Sequence, residues 1–350
     1  MSRTSPLTKL SLALTALALP ALLPAQTFTT QKISIGGDGF FDYLSVDPGT
    51  NRVFVSRGTH VMVVDGTTGK LVGDIANTPR VHGAALVPSE NHGFTTNGGD
   101  STLTMFDLGN LAVIKKIPAG IDGLDGFMWD DETNTVLSIN HSHPTGTAVV
   151  VNARTGDVVG RVALGGNGPE GGVSDGKGRI FINLEDKNSI DVVDTKTWKV
   201  VANWPIAPCD GPTGIAMDRT TNRIFAACSD TSVVIDATTG KVVAKVANGD
   251  GVDALGWDQA HKLMYIPAGQ SGNVTVVHED SPDKYTVVAT VPTMRGARTL
   301  TVDPQTHVAY VFTPEFGPAP APAPGSPPPA PGRRGPRGPI IASWLIAIKH

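Results

Sequence analysis

The sequence predicts an all-β fold, a seven-bladed β-propeller whose ring is closed by the N-terminal strand joining the C-terminal blade. Three observations predict it. A turn phrase recurs about every 42 residues, a second phrase interleaves with it, and a lone strand at the start of the repeat region answers a missing strand at its end.

The first phrase is an apolar pair, Asp or Asn, a short turn and another apolar strand. It reads Val63-Val64-Asp65, then Thr68-Gly69 and Leu71-Val72. It returns at Val150-Val151-Asn152, Val192-Val193-Asp194 and Val234-Ile235-Asp236, with weaker copies at Met105-Phe106-Asp107 and Val276-Val277-His278. Successive anchors lie 42 residues apart, except for 45 between Asp107 and Asn152. The second phrase is an apolar residue, Asp, a polar turn and a strand. Examples are Val46-Asp47 before Arg52–Val55, Met217-Asp218 before Arg223–Phe225, Trp257-Asp258 before Leu263–Ile266, and Val302-Asp303 before Val308–Val311. Trp129-Asp130 and Ser174-Asp175 fill two more units, and Pro88-Ser89 is a degenerate copy.

Each unit thus holds four short strands, a to d from the axis outward. Such a sheet cannot bury both faces alone, but copies stacked radially around an axis bury each other. The last unit has strands near Leu300–Val302, Val308–Thr313 and Trp344–Ile348 and lacks strand d. Thr30–Ile35 alternates like an outer strand and has no unit of its own. Pairing the two completes the seventh blade and removes an exposed edge.

Ahead of the repeats, residues 1–25 read as a removable signal peptide. Arg3 and Lys9 supply positive charge, Leu10–Leu19 is apolar apart from Ser11 and Thr15, and Pro20, Pro24 and Ala25 prepare a cleavage site. The propeller then spans residues 26–350, and a periplasmic or secreted location is expected. Losing Arg3 and Lys9 takes 28 basic residues to 26 against 32 acidic ones, a net charge of −6. That balance argues against a nucleic-acid partner, which needs a basic face to displace counterions. No segment of the mature chain reaches transmembrane length. A monomer is expected.

Two cysteines, Cys209 and Cys228, fall at the open ends of one hairpin, on either side of the turn at Asp218–Asn222. An oxidising compartment would let them bond. Residues 317–339 are low in complexity, with Pro-Ala repeats, Pro327-Pro328-Pro329 and the basic trio Arg333, Arg334 and Arg337. This stretch cannot build a core and is expected as a disordered insert between strands b and c of the last blade.

On the residues Phe94-Thr95-Thr96-Asn97, and on the Val-Val-Asp-x-x-Thr-Gly-Lys type of phrase at 63–72 and 234–243, the chain resembles the YVTN-type, YncE-like and surface-layer-like repeat propellers. The resemblance covers nearly all of residues 30–350 apart from the insert. It implies the propeller fold and a binding or scaffolding role outside the cytoplasm. It carries over no catalytic residues. The recurrent Trp-Asp and Gly-His signature of WD40 repeats and the Trp-docking phrase of quinoprotein propellers are both missing.

In a propeller the loops leading into strand a and those joining b to c open on one face around the axis. Aligning the units on the a–b turn puts a polar residue before strand a in each: Asp42, His82, Asp125, Glu170, Thr213, Asp253 and Arg298. Asp38, Asp122, Asn167, Asp210 and Asp250 lie close by in sequence. Such a ring could bind a polar small molecule or a divalent cation. Alternatively, its carboxylates could only cap the N–H groups of neighbouring loops. Asn140-His141-Ser142-His143-Pro144 is the most chemically loaded b–c loop, and His82, His141 and His143 with Asp125 or Glu170 could make a transition-metal site. Glu185-Asp186-Lys187, Asn97–Asp100 and His60 sit in other b–c loops. No Gly-x-Ser-x-Gly elbow or Cys-His pair supports nucleophilic catalysis. Expectation therefore divides between a binding or scaffold protein, with a small molecule or an envelope protein as partner, and a hydrolase or lyase using His82, His141, His143 and Glu170. No cofactor other than a divalent metal is suggested.

Overall fold

The computed structural model describes residues 27–37, 39–142, 144–319 and 338–350. It contains seven four-stranded antiparallel sheets arranged as blades. Their inner strands are Leu44–Asp47, Val81–Val87, Leu124–Asp130, Pro169–Ser174, Ile215–Asp218, Gly256–Asp258 and Leu300–Val302. The seventh sheet runs Leu300–Val302, Ala309–Phe316, Ile340–Lys349 and, outermost, Thr29–Ser34. The closing pair is antiparallel in continuous register, from Thr29 opposite Lys349 to Ser34 opposite Trp344. Only Ile33 of Thr29–Ser34 is buried, so the latch holds by backbone pairing plus one apolar anchor. Ile33 packs with Leu345, Val53 and Met62 across the seam between blades seven and one.

The two repeated phrases become two kinds of turn. In the c–d turns the anchor side chain accepts N–H groups of its own turn. Asp65 takes Thr67 and Thr68, Asn152 takes Arg154 and Thr155, Asp194 takes Thr197, and Asp236 takes Thr238 and Thr239. The following Gly69, Gly156 and Gly240 have φ near +70°, which glycine adopts without a Cβ penalty. Trp198 takes that place at φ +52° in blade four. Blade six departs from the pattern. Its strands c and d run on through Asn273–Ser281 and Lys284–Pro292, so the turn lies beyond His278, and His278 Nδ1 instead meets Asp280 Oδ1 at 2.8 Å.

Strands b and c are buried on both faces because a blade covers each side. Strand d shows alternation, with one face open, as in Val158–Ala163. Near the axis the blades pinch together. A Cβ on Gly126 would lie 2.7 Å from the Glu170 carbonyl oxygen, and one on Gly214 would lie 2.2 Å from the Ala254 carbonyl carbon. Only glycine permits that approach, and it brings successive inner loops into reach of one another.

The leader expected over residues 1–25 and the core of the insert, residues 320–337, lie outside the described residues. The base of the insert is described. Gly317 N donates to Pro339 O at 2.8 Å, so the segment leaves and returns at one point on a long b–c hairpin. Cys209 and Cys228 are joined in a disulfide with Cα atoms 5.5 Å apart, tying the loop before strand a of blade five to the loop after its strand b. Closing a loop of that length contributes about 3 kcal/mol in the chain-entropy picture.

Candidate functional site

Charged residues from six blades meet where the loops before strand a converge. His82 Nδ1 lies 2.8 Å from Asp42 Oδ2 and 3.1 Å from Asp125 Oδ1. His141 Nε2, from the b–c loop of blade three, lies 3.2 Å from Glu170 Oε1 and 3.8 Å from Asp125 Oδ2. These are ion-pair distances without a well-aligned hydrogen bond, so the buried Nε2 is left without a hydrogen-bond partner. The Tyr43 hydroxyl donates to Glu170 Oε2 at 3.3 Å. Arg298 pairs through Nε with Asp253 and reaches Asp42 Oδ1 at 3.3 Å, with its guanidinium over the Phe41 ring.

The carboxylates here differ in their partners from those of the turns. Among the described residues, no backbone N–H donates to the carboxylates of Asp42, Asp125, Glu170 or Asp253. Their partners are His82, His141, Arg298 and Tyr43. Within this cluster of described residues, three cations therefore offset four carboxyl groups.

The protonation states follow from burial and neighbours. Burial alone would lower His82, but hydrogen bonds to Asp125 and Asp42 outweigh it and hold its pKa at about 9. His141 is raised to about 9, chiefly by Glu170 and against burial. Glu170 is pushed up to about 7 by burial, with Asp125 and Asp253 adding and His141 opposing. Burial raises Asp253 to about 6 against the pull of Arg298. Asp125 resists the upward push of burial and lies below its usual value because His82 and His141 face it. Tyr43 is raised well above its ordinary value, first by burial and then by Glu170.

A cavity of about 420 Å³ adjoins the cluster, with Phe41, Phe316, Gln270, Arg295 and Arg298 among its walls. Phe316 lies just before the base of the insert and pairs with Ile340 across the hairpin.

Other expected positions do other work. Thr213 Oγ1 donates to Val252 O at 3.2 Å, which links blades five and six. Asp186 accepts the N–H groups of Asn167 and Gly168, Asp210 accepts from Asn188 Nδ2, and Asp100 binds Thr102 and Lys116. These carboxylates fasten loops. His60 sits beside Asp74, at 3.5 Å. Asp38 and His143 lie outside the described residues. Of the three histidines considered as metal ligands, His82 and His141 share Asp125 but approach different oxygens of it. The convergent donor set is instead Asp42, His82 and Asp125, whose donor atoms all lie within 4.8 Å of one another. A divalent ion there would compete with the proton that His82 shares with both carboxylates. Tyr43, Arg295 and Phe316 join the site without a sequence signal, since each is placed by its loop and not by the repeat.

No protein-family model matches the chain. No curated protein matches it either. Solved structures do. A chain of Kuenenia stuttgartiensis hydrazine synthase is 16% identical with a TM-score of 0.67, over 77% of this chain and 91% of that one. A chain of the mitotic checkpoint complex is 17% identical with a TM-score of 0.68, over 87% and 96%. The RRP9 WD40 repeats are 9% identical with a TM-score of 0.73, over 91% and 97%. Identities this low establish a shared seven-bladed propeller fold, which the WD40-type neighbours share without the sequence signature of their repeats appearing here.

Proposed function

We propose that the protein is an exported propeller of the YVTN type that binds a small organic anion at the mouth of its axial channel. The observation that carries this is the 420 Å³ cavity beside the charged cluster, a size suited to a small molecule. Phe41 and Phe316 would supply apolar wall for the body of the ligand, while Arg295 would pair with the anionic group. Among the described residues Arg295 has no carboxylate partner, whereas Arg298 is already held by Asp253 and Asp42. The cluster behind the cavity would supply a rigid, polar floor. Export is supported by the leader-like residues 1–25 and by the bonded cysteines. The chain is proposed to act as a monomer.

The test is a thermal-shift screen of aromatic and aliphatic carboxylates and phosphates, followed by calorimetry on any hit. An anion that stabilises the wild type and loses at least about tenfold in affinity with Arg295→Gln is the expected result. A hit indifferent to Arg295→Gln and to Phe316→Ala would end this reading.

A second reading is acid–base catalysis by a hydrolase or lyase, favoured by one observation. Glu170 is pushed up to about 7 while His141 beside it is held at about 9, so adjacent groups exist as proton acceptor and donor near neutrality. Turnover of a lactone, ester or glycoside that disappears in Glu170→Gln would establish it. No turnover across that panel would leave binding alone.

A further inference from the structure

A second cluster of chemically active side chains lies on the opposite face of the ring, where the a–b turns emerge. Asp258 ends strand a of blade six, and His261 follows in the same turn. His307 comes from the a–b turn of blade seven, and His350 follows strand Ile340–Lys349. His261 Nδ1 lies 2.9 Å from Asp258 Oδ2, and His307 Nδ1 lies 3.0 Å from Asp258 Oδ1. The His261 ring stands edge-on to both His307 and His350, with centroids 4.4 Å away in each case. Donor atoms of Asp258, His261 and His350 all lie within 4.8 Å of one another.

We propose that Asp258, His261 and His350 form a surface site for a first-row divalent transition ion of the zinc class, with His307 as the residue that orients the Asp258 carboxylate.

Four points favour a metal over a simple polar latch. Three imidazoles gather around one carboxylate, with His261 and His307 on its two oxygens and the His350 ring edge-on to His261. Imidazole and carboxylate together suit zinc, copper or nickel, while calcium and magnesium demand oxygen ligands. The second oxygen of Asp258 is already bonded to His307, and Ala260 N donates to Oδ1 as well, at 3.0 Å. An outer hydrogen bond of that kind fixes the direction of a ligating carboxylate. Finally, Asp258 is buried while His261 and His350 are exposed, so an ion can enter from solvent onto an anchored floor. His350 Nδ1 also lies 3.4 Å from the Tyr265 hydroxyl, which limits rotation of its ring.

This site would join blade six to the strand against which Thr29–Ser34 closes the ring, so an ion there would also brace the latch. It shares no residue with the mouth, and its fate is separable from that of the anion pocket.

The experiment is titration of the chelator-treated full chain with zinc sulfate alone, read by calorimetry, with melting temperature followed in parallel. Cobalt substitution gives a visible spectrum that reports imidazole ligation. The wild type should take up one zinc at this site and melt higher. His261→Ala and His350→Ala should each weaken uptake by tenfold or more while folding normally, because both side chains are exposed. His307→Ala, which removes only an orienting hydrogen bond, should weaken it about tenfold. His60→Ala, in a loop away from both clusters, should leave this uptake unchanged. Zinc binding that survives both His261→Ala and His350→Ala, or no uptake by the wild type, would each overturn the proposal.

Discussion

Aspartates do opposite jobs at the outer rim and at the axial mouth. At the rim, Asp65, Asp194 and Asp236 accept N–H groups from their own turns through Oδ1, and Oδ2 of Asp236 also accepts from Arg223 of the same blade. At the mouth, Asp42, Asp125 and Asp253 accept from side chains of other blades. The rim carboxylates build the repeat. The mouth carboxylates depend on the finished ring, because their partners come into reach only after the blades close. A carboxylate that accepts N–H groups of its own turn cannot exchange them without unmaking the turn. One satisfied by movable cations can exchange them, so the mouth is where binding chemistry can reside.

The largest expected effect breaks this contrast at its centre. Replacing His82 with Ala removes the cation between buried Asp42 and half-buried Asp125 and leaves them facing each other, with only Arg298 on the first and His141 near the second. Loss of one partner from a buried pair costs about 3–5 kcal/mol, read as a fall in the denaturation midpoint at unchanged slope. A loss no larger than that of a rim substitution would erase the distinction.

A second effect is pH dependence. His82 and His141 have folded pKa values near 9, above the ordinary histidine value of 6.5, so they bind more protons folded than unfolded. The stability they contribute is fully present below about 6.5 and is lost as pH rises through about 9. Glu170, raised to about 7, acts in the same direction at lower pH, since its folded form also holds the proton more tightly. Stability should therefore decline steadily from mildly acidic to alkaline pH, and His82→Ala should flatten the alkaline part of that slope. A profile that rises through neutrality would oppose the assignment.

The smallest effect belongs to the rim. Asp65→Ala removes two N–H partners from one exposed turn and should cost about 1 kcal/mol, comparable to loss of a local cap. It should leave ligand affinity and the alkaline slope untouched.

The fold was legible because its information is periodic and local. Asp236-Ala237-Thr238-Thr239-Gly240 specifies a turn by itself, and copies at a constant interval specify a ring. The unpaired strand before blade one and the gap after Ile348 gave the closure. The mouth was legible only in outline. Aligning turns placed Asp42, His82, Asp125, Glu170, Asp253 and Arg298 on one face, but could not tell which carboxylates fasten loops. Asp210, close to one of these positions in sequence, and Asp186, in a b–c loop, hold adjacent chain. The pairing of His141 with Glu170 and the position of Arg295 depend on the pinch between blades, which glycines such as Gly126 allow and no period encodes. The cluster at Asp258 was hidden for the same reason. Its histidines occupy different positions in their units, so aligning the repeats does not bring them together.

The most direct measurement is the titration of His82 by histidine-selective NMR, with its signal assigned by its loss in His82→Ala. If buried carboxylates at the mouth are held by cations from other blades, this imidazole stays protonated through neutrality and titrates near 9. A midpoint at the ordinary value of about 6.5 would mean that Asp42 and Asp125 do not grip it, and the charged mouth described here would not exist.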